Sequence, residues 1–145
     1  MQATGADAEP SARPQLCVGA VAQRTNELLL VRRGTSPGKG LWSVPGGRLE
    51  PGETVAEAVV RELLEETDLH GVCGPLIGWV ERIGPGWHYV ILDFEVVLLD
   101  RGDPVAGDDA AEAAWVPVWE VPELDLVEGL AEFLSEHGII DTISR

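Results

Sequence analysis

The stretch VPGGRLEPGETVAEAVVRELLEETDL, Val44–Leu69, sets six glutamates and one aspartate against two arginines. Thr54 follows a Pro/Gly turn and Glu57 stands three residues after it, the capping-box arrangement that opens a helix. The spacing predicts a helix from about Val55 to Thr67. At about 100° per residue, Val55, Ala56, Val59 and Leu63 share one arc, the expected core face. Glu62, Glu65 and Glu66 share the neighbouring arc, and Glu66 falls between Val55 and Val59, toward the apolar edge. Like charges within one turn oppose helix formation. A carboxylate turned toward a protein interior is costly unless positive charge meets it. A solvated acidic face is the plain alternative. Three converging carboxylates suit a hard divalent cation with oxygen ligands, and Mg²⁺ foremost, because it takes few protein carboxylates and keeps waters and phosphates.

Outward from this helix the chain reads as strands. Gln15–Gln23 and Glu27–Arg33 form an expected hairpin around Arg24–Asn26. Gly34–Gly47 is rich in Gly and Pro and reads as loop. Pro75–Ile83 and His88–Leu99 are strands around a Gly/Pro turn, and Arg101–Glu112 is an acidic loop. Ala114–Val121 is a short strand and turn. Glu123–Gly138 carries helical apolar spacing at Leu126, Leu130, Phe133 and Leu134, with Gly138 as the stop. Strands bracketing one helix, with a second helix closing the chain, make an α+β fold or a mixed-sheet αβα sandwich.

The 145 residues suit one domain, 15–145, behind a disordered tail, 1–14. A net charge of −15 argues against nucleic-acid or acidic-membrane binding through broad electrostatics. It leaves room for a small anionic substrate met by a cation or by local arginines. Cys17 and Cys73 are too few and too far apart for a disulfide framework or a metal cluster, and they read as buried free thiols. The start MQATGADAEPSARP lacks an apolar signal core, so a cytoplasmic location is expected.

Gly47, Glu53, Arg61–Leu63, Glu65–Glu66 and Leu69 together resemble the signature box of the Nudix hydrolases. One fixed position departs: the family has Gly where this chain has Asp68. Gly there closes the helix in the left-handed conformation, which Asp adopts at some cost. The lead-in GLWSVPGG, Gly40–Gly47, is also similar to the family's. The resemblance implies an αβα sandwich with a mixed β-sheet, and hydrolysis of a diphosphate bond in a nucleoside diphosphate derivative.

Residue by residue, the resemblance implies that Glu62, Glu65 and Glu66 hold Mg²⁺ or Mn²⁺, with the carbonyl of Gly46 as a backbone ligand. It implies that Gly47 opens the motif and that Glu53 and Arg61 brace the loop against the helix. The general base stays open among Glu65, Glu66 and a later acid. Asp109 stands six positions before Trp115, where relatives often carry one, with Asp108 and Glu112 as neighbours. Arg33 matches a phosphate-contacting position. Adjacent strand residues point to opposite faces, so only one of Arg32 and Arg33 can face the site; Lys39 follows in the loop. Trp42, Trp79, Trp115 and Trp119 are expected in or near the core, while Trp87 could stack on a base.

Pro85, sixteen positions after Leu69, resembles a marker of ADP-ribose-cleaving relatives, so an ADP-ribose-like sugar nucleotide is favoured as substrate. The alternatives are a MutT-like triphosphate pyrophosphohydrolase that cleans the nucleotide pool and a nucleotide-sensing module without turnover. The expected partner is a small nucleotide, and a homodimer is left open.

Overall fold

A computed structural model describes residues 13–36, 38–107 and 109–141. Asp108 and most of the expected N-terminal tail lie outside the described residues. The order is β1 (Gln15–Arg24), β2 (Glu27–Arg33), β3 (Trp42–Ser43), β4 (Gly46–Arg48), α1 (Val55–Thr67), β5 (Gly71–Gly84), β6 (Trp87–Leu98), β7 (Ala110–Pro117), a 3-10 turn (Val121–Glu123) and α2 (Leu130–Glu136). Among the described residues no helix is long and apolar enough to cross a membrane.

β1 and β2 carry nearly unbroken apolar runs because both faces of the sheet are covered. Val18, Ala20 and Ala22 of β1 and Leu29 of β2 pack with Ala58, Val59 and Leu63 of α1. Val21 of β1 and Leu28 and Leu30 of β2 pack on the other side with Leu130, Phe133 and Leu134 of α2. Period-two alternation thus sends each strand's side chains into two separate cores. The strand order is β3-β2-β1-β6-β5, with β4 on β1 and β7 on β2. β1 runs parallel to β6, and the other named pairs are antiparallel. This mixed sheet between two helices is the αβα sandwich expected.

α1 begins and ends where the sequence places it. The Thr54 hydroxyl accepts from the Glu57 N–H at 3.1 Å, and the Thr54 N–H donates to Glu57 Oε1 at 2.9 Å. Asp68 closes the helix in the left-handed region, φ 62, ψ 23, and its N–H donates to the Leu64 carbonyl. The core face is rotated from expectation at one position: Ala56 is exposed and Ala58 is buried.

Other expectations are corrected. The closing helix is half as long, starting at Leu130 instead of near Glu123. The Trp42 N–H donates to the Asp125 carbonyl and the Val127 N–H donates to the Trp42 carbonyl, so this segment is spent on a bridge to β3. Gly129, at φ 84, then turns the chain into α2. The Gly34–Gly47 loop contains β3 and the first residues of β4, and β7 starts inside the expected acidic loop, at Ala110. Trp42 and Trp115 pack against the two cores, but Trp79 and Trp119 are each 63% exposed. Trp79 lies on the edge strand β5 and Trp119 in the turn after β7, where the helices do not cover them. Both cysteines are free but only half-buried.

Asp68→Gly should raise the melting temperature by about 3 °C, because it removes both left-handed strain and a negative charge at the helix C-terminus. Thermal unfolding with an unchanged or lower midpoint would contradict this account of the helix end.

Candidate active site

Gly47 lies close against α1, and Gly46 close against β1, because neither carries a side chain. A Cβ at Gly47 would overlap the Glu62 carboxylate, and one at Gly46 would overlap the Val18 carbonyl oxygen. The Gly46 N–H donates to Glu66 Oε1 at 3.1 Å. Arg61 then ties helix to loop. Its Nε and Nη2 donate to the two oxygens of Glu53 at 2.6 and 3.0 Å, and Nη2 also donates to the Arg48 carbonyl at 3.0 Å. Such a forked, charge-assisted pair is strong and directional. It raises the Arg61 pKa and lowers that of Glu53, in each case chiefly through this hydrogen bond. Arg61 Nη1 also reaches Glu62 Oε2 at 3.0 Å and Glu65 Oε1 at 3.2 Å. One arginine therefore offsets much of the repulsion among the helix glutamates.

The acidic loop is brought in by the helix end. The Val105 N–H donates to the Thr67 carbonyl at 2.8 Å and the Gly107 N–H to the Glu66 carbonyl at 3.3 Å. Glycine is required at 107, since a Cβ would overlap the Glu65 carbonyl oxygen. The Gly34 N–H then donates to the Asp109 carbonyl at 2.8 Å, setting Asp109 beside the end of β2. Arg32 and Arg33 are adjacent on β2 and so face opposite ways, and the β2–β7 pairing shifts register between them. Arg32 Nε pairs with Glu112 Oε1 at 3.2 Å, while Arg33 lines the cleft. Glu112 is thus engaged with Arg32 and does not line the cleft.

That cleft has a volume of about 870 Å³. Arg33, Gly46, Gly47, Glu62, Glu65, Glu66, Trp87 and Asp109 all line it. Glu53 and Arg61 stand behind its wall, as braces. Trp87 is 41% exposed, and its ring lies 5.6 Å from that of Tyr89, which lines the cleft too. As the side chains stand, no three His, Cys, Asp or Glu groups among the described residues form a metal-holding cluster. Arg61 engages Glu62 and Glu65, and Gly46 engages Glu66. The chemistry of the donors fits a hard cation all the same, because Glu62, Glu65 and Glu66 line the same cleft as Gly46 and Gly47, whose backbone no side chain covers.

Sequence reasoning missed the cleft floor. Asp93, Arg82 and Glu128 line it, from β6, β5 and the turn before α2. Burial pushes the Asp93 carboxyl up to about 7, with Arg82 opposing. The available signal was a lone acid in the apolar run YVILDF, Tyr89–Phe94, on a strand expected to be covered.

The sequence model of the NUDIX domain matches residues 13–137. An ADP-ribose pyrophosphatase of Methanocaldococcus jannaschii is 37% identical over 77% of this chain and 66% of its own length. A human 8-oxo-dGDP phosphatase is 34% identical over 79% of this chain, which spans only 38% of that protein. The crystal structure of a MutT NUDIX hydrolase from Burkholderia pseudomallei superposes with a TM-score of 0.76 at 26% identity, covering 85% of this chain and 97% of that one. With its glutamate helix, glycine turn and Arg61 brace arranged on an αβα sandwich of that kind, the chain belongs to the Nudix hydrolase family.

Proposed function

We propose that this chain, as one domain over residues 15–145, hydrolyses a diphosphate bond in a nucleoside diphosphate derivative with Mg²⁺ or Mn²⁺, an ADP-ribose-like sugar nucleotide being favoured. The observation that carries the proposal is the convergence on one cleft of Glu62, Glu65, Glu66, Gly46, Arg33, Trp87 and Asp109. A diphosphate resists attack because of its own negative charge. A divalent cation, when bound, supplies neutralisation of that charge and acidifies water. Glu62, Glu65, Glu66 and the Gly46 carbonyl are the groups to hold it. Arg33 meets the phosphates with a forked donor, and Trp87 offers an aromatic face to the base. A carboxylate within reach of the attacking water takes its proton. Glu65, Glu66 and Asp109 are the candidates, on two sides of the cleft.

The second reading, an oxidised-guanine nucleotide, is favoured by one observation: the human relative bears the name 8-oxo-dGDP phosphatase. Direct competition at equal concentration with Mg²⁺ separates the two. ADP-ribose yielding AMP and ribose 5-phosphate at the highest kcat/KM supports the first reading. A higher constant for 8-oxo-dGDP, or for any nucleoside triphosphate with pyrophosphate released, moves the protein to nucleotide-pool cleaning.

Two substitutions test the residue roles. Glu66→Gln should lower hydrolysis at least about a hundredfold while the protein stays folded; near-normal turnover would remove Glu66 from the metal set. If Asp109 is the base, Asp109→Asn should lower kcat and alter the pH–rate profile while the Mg²⁺ concentration for half-activation stays unchanged. An unaltered profile would leave the helix glutamates as the base.

A further inference from the structure

The cleft floor holds a carboxyl group that neither the glutamate wall nor the base candidates use. Asp93 is 3% exposed and is the only fully buried ionisable side chain among the described residues. Its Oδ1 has no hydrogen-bond partner there. Buried polar atoms without partners are rare and require an explanation. Tyr89, Ile91 and Asp93 alternate along one face of β6, flanked by Cys17 and Gly19 of β1 and Val80 and Arg82 of β5, all lining the cleft. Gly19 pairs directly with Asp93, and a Cβ on it would overlap Oδ1. The fold therefore leaves out a side chain on β1 to make room for a carboxyl whose Oδ1 has no hydrogen-bond partner. Arg82 attracts that carboxyl, while burial disfavours its charge.

Its place relative to the glutamate wall is fixed by register. Gly46 pairs with Gly19, and Gly19 with Asp93, so the three form one row across β4, β1 and β6. At about 4.8 Å per strand, Asp93 lies about 10 Å across the sheet from Gly46. Trp87 is six residues earlier on β6, about 20 Å along the strand. A substrate whose diphosphate sits at Gly46 and Glu66 can place one end near Trp87 and another part over Asp93.

We propose that Asp93 is a specificity-determining residue that accepts a hydrogen bond from a donor on the substrate, either a hydroxyl of a sugar or the amino–imino edge of a guanine-type base. In its ionised form the carboxyl accepts and does not donate, so it suits such a donor and disfavours an edge that presents an acceptor. The inference rests on the diphosphate-hydrolase reading of the same cleft.

The test compares wild type with Asp93→Asn on two substrate pairs that differ by a donor: ADP-ribose against its analogue lacking one terminal-ribose hydroxyl, and 8-oxo-dGDP against 8-oxo-dIDP, which lacks the 2-amino group. In one pair the wild type should favour the donor-bearing member in kcat/KM by about tenfold. In Asp93→Asn that preference should fall toward one, with kcat on the analogue little changed. The pair that collapses identifies the donor as sugar or base. Preferences unchanged in both pairs, or an equal loss on both members of each pair, would overturn the proposal. Thermal unfolding of Asp93→Asn should show a midpoint no lower than wild type, and a large fall accompanied by an equal loss on all substrates would mark a structural residue instead. If the wild type hydrolyses none of the four, the diphosphate-substrate reading fails on its own. Equilibrium binding of ADP-ribose and 8-oxo-dGDP then decides: at least one should bind wild type more tightly than Asp93→Asn, and equal binding or none overturns the inference.

Discussion

The Arg61–Glu53 fork is the contact on which the site depends. A glycine-rich turn and an acidic helix have no reason to stay together: the turn has few side chains to pack, and the helix repels itself. Arg61 resolves both difficulties at one guanidinium. Two of its nitrogens hold Glu53 at 2.6 and 3.0 Å, the Arg48 carbonyl accepts from one of them, and the third nitrogen reaches Glu62 and Glu65. The rigid fork makes these bonds compatible in one plane, which a lysine could not do. Glu53 is in turn held by the Glu50 N–H, so the brace is anchored on the loop side as well.

Around this brace the missing side chains matter as much as the present ones. Gly47 admits the Glu62 carboxylate, Gly46 lets β4 close on β1, Gly107 lets the acidic loop rest on the end of α1, and Gly19 admits Asp93. In each case a Cβ would collide with a carbonyl or carboxylate oxygen. The polar groups of the cleft are therefore placed by backbone proximity, and they sit on a sheet whose two faces are otherwise occupied by separate apolar cores. Polar groups carried on a scaffold of this kind do not have to contribute to its stability.

Much of the helix and its motif was legible in the chain. The capping box, the helix limits Val55–Thr67 and the left-handed close at Asp68 are local events set by residues within one turn of each other, and local chemistry decides them. The paired strands β1–β2 and β5–β6 follow from alternation and turns. Ala56 failed because an idealised helical wheel does not know which side the sheet will approach. The second helix failed because Trp42, more than eighty residues away in sequence, takes the backbone groups of Asp125 and Val127. Trp79 and Trp119 read as core residues from their apolar neighbours, yet one lies on the strand that ends the sheet and the other in the turn after β7.

By itself, then, the sequence determined the acidic helix, its glycine turn, the arginine that braces them and the family they mark, since spacing along one helix and one loop carries all of that. Tertiary structure decided what each arginine meets: adjacent residues of β2 face opposite ways, and across β7 Arg32 finds Glu112 while Arg33 lines the cleft. It alone placed Asp109 near the glutamates, through loop hydrogen bonds to the end of α1 and to Gly34. It alone put Asp93 opposite Gly19 on the floor, because the parallel pairing of β1 with β6 joins segments that no local pattern connects. Register between distant strands is a property of the whole sheet, and the chain's local chemistry does not contain it.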